Sequence, residues 1–115
     1  MQIISYGARD VLDSETLTID NTAGGIALTA SKYLKKDVGS GNLQGQPRRA
    51  REAFITVEDQ QIRWNIDPGV TVTDTANGHE ADAGDSFSIH GRAIANFRAI
   101  RTGGSNGVIR VTYLG

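Results

Sequence analysis

The side chains best able to do chemistry gather in one polar stretch, Asp74 to Asp85, reading DTANGHEADAGD. His79, Glu80, Asp82 and Asp85 lie close together there. Carboxylates at this spacing around a glycine suit a hard cation such as Ca²⁺, which takes oxygen ligands in a loop. The order of residues matches neither an EF-hand loop nor a zinc-ligand spacing. Acidic turns are also ordinary on β-domain surfaces, so no metal is assigned. A second set, Asp85, Ser86, Ser88 and His90, holds the residue types of a hydrolytic triad. On a strand these side chains alternate between faces, and no spacing joins a nucleophile to a base. No catalytic residue and no cofactor is assigned.

Charge is the third chemical feature. Net charge is −1, yet it falls in blocks. Residues 32–51 carry Lys32, Lys35, Lys36, Arg48, Arg49 and Arg51 against Asp37 alone. Residues 52–85 carry eight acids and one base, Arg63, and the remainder carries four arginines and no acid. Such blocks suit self-complementary packing between copies. The Gly- and Gln-rich basic segment, a mobile loop at residues 35–51, reads as an arm that orders on contact with another subunit. Binding of single-stranded nucleic acid would interleave aromatic rings with the bases. Only Tyr33 does so here, and the acidic pI of about 6.1 argues the same way. Arg98 and Arg101 read as partners of the acidic block.

The elements that must position these groups are strands. Ala53–Ile66 (AFITVEDQQIRWNI) holds two runs of period-two alternation, the pattern of half-buried strands. Four polar residues join them, which predicts an antiparallel hairpin closed around a type I turn. Residues 15–29 predict a second hairpin, with Leu17 and Ile19 facing one way. Further strands are expected at 2–6, 70–73, 85–90 and 108–114. The segment 7–14 reads as a loop. Residues 30–36 read as a strand end or one helical turn, and 93–101 as a strand pair or one bent strand. The expected core is Ile55, Val57, Ile62, Trp64, Ile66, Phe87, Ile89, Phe97, Ile109, Val111 and Tyr113.

About eight short strands separated by Gly/Asn/Asp turns predict a single-domain antiparallel β-sandwich over residues 1–115, with a jelly roll among the topologies it admits. The chain has no cysteine, no apolar run long enough to span a membrane, and no signal-peptide core at its N-terminus.

The second half also carries a resemblance. The runs AFITVEDQQIRWNID, GHEADAGDSFSI and IANFRAIRTGGSNGVIRVTYL occur in that order. They resemble small virion proteins encoded in the structural gene clusters of tailed bacteriophages. In that group an ITVE-type strand precedes an IRW- or IRY-type strand ending in Asp. A GH…AGD turn and a FRAIR…VTY ending follow. GIALTAS, Gly25 to Ser31, resembles the group's early strand. Asp67-Pro68-Gly69 departs from the group's Asp-Gly start, and the basic segment is long.

The resemblance implies a β-sandwich subunit of the virion, assembled in the host cytoplasm. The expected role is a non-enzymatic capsid decoration or cement protein, a homo-oligomer with a trimer favoured. Its partners would be the major capsid protein or other virion proteins, touched through Lys32 to Arg51 and the N-terminal residues. The rivals are a neck, tail or fibre-base adaptor of the same fold, and a carbohydrate-binding module at a fibre tip. A small β-barrel enzyme using His79 or His90 is the third.

Overall fold

A computed structural model describes residues 10–35 and 48–115. The expected strand at 2–6 lies outside the described residues, as do Lys36, Asp37 and most of the expected loop.

In chain order the elements are β1 (Val11–Ile19), β2 (Ile26–Ala27), α1 (Ala30–Tyr33), β3 (Leu34–Lys35), β4 (Arg48–Arg49), β5 (Glu52–Glu58) and β6 (Ile62–Asn65). There follow β7 (His79–Ala81), β8 (Ser86–His90), α2 (Ala93–Asn96), β9 (Arg98–Arg101) and β10 (Gly107–Leu114). One antiparallel sheet has the order β1-β10-β5-β8, and a second has β2-β9-β6-β7. The short β3–β4 ribbon stands apart from both. Without the ribbon, the eight remaining strands follow the jelly-roll order, in which successive strands fall mainly in opposite sheets.

The core forms where the inward rows of the two sheets meet. Val111 pairs with Ile55, Ile109 with Val57 and Tyr113 with Ala53. Ile55 in turn pairs with Phe87, and Ala53 with Ile89. Ile62, Phe97 and Ala99 bury from the facing side, while Trp64, Ile66 and Phe87 are half-buried against the cluster.

Several expected elements differ. The Ala53–Ile66 stretch is two strands but not a hairpin, because β5 and β6 belong to opposite sheets. The joint is a tight crossing. Gln60 N–H donates to Glu58 O at 2.8 Å, and Asp59 takes the left-handed conformation with φ 71°. Aspartate tolerates that region better than most residues, so no glycine is required. Residues 15–29 likewise form no hairpin, since β1 pairs with β10 and β2 with β9. β1 also begins at Val11, inside the expected loop.

Residues 70–73 form no strand. Val72 is buried there, and Thr73 closes a turn with Ala76. Residues 79–81, read as turn, form β7. Residues 93–101 form the helical turn α2 and then β9, and residues 30–35 form α1 and then β3.

Candidate functional site

The chemistry-bearing residues sort to the two ends of the β5–β8 pair. β8 runs antiparallel to β5, with Glu52 opposite His90 and Thr56 opposite Ser86. Asp85 therefore lies at one end of this pair and His90 at the other. The four residues of the triad set do not converge. Ser88 Oγ donates to Glu52 at 2.9 Å, Ser86 Oγ lies 3.2 Å from Thr56 Oγ1, and His90 Nε2 sits 3.9 Å from Glu52.

The proposed metal set disperses in the same way. Glu80 receives Arg63 at 3.0 Å. Asp82 accepts from the Gln61 amide at 2.6 Å, and the Asp85 carboxylate accepts the Asp82 N–H at 2.8 Å. His79 lies 5.0 Å from the Trp64 ring. Among the described residues no three His, Asp or Glu side chains form a cation-binding group.

At this acidic end a cleft of about 320 Å³ opens between the edge strands β7 and β8. Trp64, His79, Glu80, Ala81, Asp85 and Phe87 line it, with Ser86. Trp64 and Phe87 stack with centroids 4.5 Å apart and planes at 8°. Phe97 lies 6.0 Å from Trp64 and 6.5 Å from Phe87, so it stands beside the stack and the two phenylalanines do not sandwich the indole. The sequence predicts Trp64 as a core residue; the fold places it at the core's edge, half-buried beside this cleft. Gly78 makes the close approach of β7 possible, since a Cβ there would meet Trp64 O at 2.7 Å.

The opposite end is basic. Leu34 pairs with Arg49 and Lys35 with Arg48, so the ribbon joins the two flanks of the basic segment. Ala50 N–H donates to Tyr33 O at 2.8 Å, and Arg51 N–H to Leu114 O at 2.7 Å, fixing the ribbon to the sandwich. Gly91 N–H donates to Arg51 O at 3.0 Å, which brings Arg92 to the same end. A cleft of about 400 Å³ lies here, lined by Arg48, Arg49, Ala50, Arg51, Gly91 and Gly115.

The arginines divide cleanly. Arg48 pairs with Asp10 at 2.9 Å, Arg63 with Glu80, and Arg110 with Glu58 at 2.6 Å. Arg98 donates to the carbonyls of Ala95 and Phe97, and Arg101 to Asn106, so neither takes its hydrogen bonds from the acidic block, contrary to expectation. Arg49, Arg51 and Arg92 are exposed, and their side chains have no partner among the described residues. Lys32 pairs with Asp13 at 3.5 Å. Of Lys35 only the backbone pairing is described.

Arg92 was missed as a member of this group. Its only signal is the β5–β8 register, which the sequence does not announce. No known protein family, curated protein or solved structure matches this chain.

Proposed function

We propose that this protein is a non-enzymatic structural subunit of a tailed-phage virion, most simply a capsid decoration protein. In this reading it acts as a homo-oligomer that braces the head shell against the major capsid protein or its neighbours. One observation carries the reading. The two flanks of the basic segment are tied together at one end of a jelly-roll sandwich, where Arg49 and Arg51 are exposed and have no acidic partner among the described residues. A cationic end of this kind on a rigid core is suited to an acidic surface on a neighbouring subunit of the shell, another copy of this chain included. The resemblance of the chain's short motifs, taken in order, to small virion proteins supports reading that neighbour as part of a virion. Jelly rolls serve in viral capsids and in lectins alike, so the fold supports the reading only by analogy.

The test is particle occupancy of an Arg48→Ala/Arg49→Ala/Arg51→Ala variant. Exposed ion pairs such as Arg48–Asp10 are worth about 0–1 kcal/mol, so the isolated fold should be retained while occupancy collapses. Undiminished occupancy would sink the proposal. Copy number on intact particles separates decoration, with hundreds of copies, from a neck or tail adaptor forming a single ring.

The aromatic cleft favours a second reading, a carbohydrate-binding module. A half-exposed Trp64–Phe87 stack bordered by Glu80, Asp85 and Ser86 offers an apolar floor with polar groups around it. Trp64 is the only tryptophan, so its emission reports directly on this cleft. A saturable change on titration with oligosaccharides is the expected result. An unchanged spectrum across a saccharide panel removes this reading.

A further inference from the structure

We infer that copies of this chain associate head to tail, the arginine cleft of one copy seating the Asp59–Asp82–Asp85 end of the next. This rests on the homo-oligomer reading above and specifies its contact. The acidic end is built by two turns locked together. Val57 N–H donates to Asp85 O at 2.9 Å, and Gly84 N–H to Val57 O at 2.8 Å, which holds the β7–β8 turn beside the β5–β6 crossing. Asp59, Asp82 and Asp85 are all exposed there. Asp82 and Asp85 accept only neutral donors, and none of the three has a basic partner among the described residues.

The two unpaired charge groups thus sit at opposite ends of β5. Its length separates them by roughly 20 Å at the usual rise of a strand. That exceeds the screening length of about 8 Å at physiological ionic strength, so they cannot neutralise each other within one copy. A twofold contact through either end would set like charge on like charge, which disfavours it. Joining unlike ends is the arrangement that satisfies both, and such contacts close into a ring or continue as a filament.

The seat has room for carboxylates. Between its arginines lie Ala50, Gly91 and Gly115, whose side chains are small or absent. A polyanion such as nucleic acid is the poorer occupant, because it would cover the basic end alone and leave the acidic end without a basic partner.

Sedimentation velocity on the full chain tests this. Wild type should self-associate, and added salt should weaken the association. Arg49→Glu/Arg51→Glu/Arg92→Glu leaves two acidic ends, and Asp59→Lys/Asp82→Lys leaves two basic ends while sparing the Asp85 carboxylate that holds its turn. Each variant alone should associate roughly 10²-fold more weakly, as like charges now face each other. An equimolar mixture should recover association. Circular dichroism checks each fold. Should the lysine variant fail to fold, Arg51→Glu alone, at an exposed side chain with no partner among the described residues, must still weaken association. Variants that assemble like wild type, or a mixture that fails to recover, overturn the head-to-tail contact and leave the homo-oligomer standing. A wild type that stays monomeric in every salt overturns both.

Discussion

Glu15 is an acid on the inward face of β1, in phase with Leu17 and Ile19 and opposite Val111. A carboxylate facing a core is costly unless its oxygens are satisfied. Here Thr29 donates to it through Oγ1 at 2.7 Å and through N–H at 3.2 Å, and the Tyr113 hydroxyl donates as well. The network ties β1 to β10 and to the start of α1. Burial, then the hydrogen bond to Glu15 and its charge, raise the Tyr113 pKa far above the ordinary 10.0. The folded state therefore holds this proton more tightly than the unfolded chain does. The stabilisation is complete below pH 10 and is lost above it, at about 1.4 kcal/mol per pH unit while only the unfolded chain ionises. Urea unfolding of wild type and Tyr113→Phe at about pH 8 and about pH 11 measures this difference. At the lower pH the variant should be about 1–2 kcal/mol less stable, because Glu15 loses a donor. At the higher pH the gap should close or reverse. A gap that widens with pH would exclude this account of the tyrosine.

At the scale of elements, alternation reports which face a side chain takes and says nothing of which strand lies alongside. That is why β5, β8 and β10 were legible in the sequence, whereas the partners of β5 and β6 were not. Ile55, Val57 and Ile62 bury equally well as two strands of one sheet or as two strands facing across a sandwich. A short polar joint serves either geometry. The choice rests on Asp59, whose positive φ turns the chain through the sandwich instead of back along it. Residues 79–81 (HEA) lack β-branched residues and gave no strand signal; they extend because the β6 edge is there to pair with. The reverse holds at residues 70–73, where good strand residues find no neighbour and only Val72 reaches the interior. At the candidate sites the charge blocks were visible in the sequence. Their sorting into paired and unpaired members was not, because Arg48–Asp10, Arg63–Glu80 and Arg110–Glu58 all join residues far apart in the chain.

For the whole molecule, the β1–β10 pairing joins the first and last described strands in one sheet. Val11 is opposite Leu114, and β10 then carries the register to β5. Of the sandwich strands adjacent in sequence, only β6 and β7 pair directly; the others must wait for a distant partner. Loop-closure entropy is therefore spent before most contacts form, the situation that slows folding of all-β proteins relative to helical ones. The β3–β4 ribbon pairs locally but lies outside both sheets, so it does not shorten that search. Trp64 packs against Phe87 of the opposite sheet, so its emission changes when the two sheets meet rather than when a single strand forms. Stopped-flow refolding monitored at Trp64 should accordingly be slow, on the order of milliseconds to seconds. Microsecond refolding would mean that local contacts carry the nucleus, which this order of strands excludes.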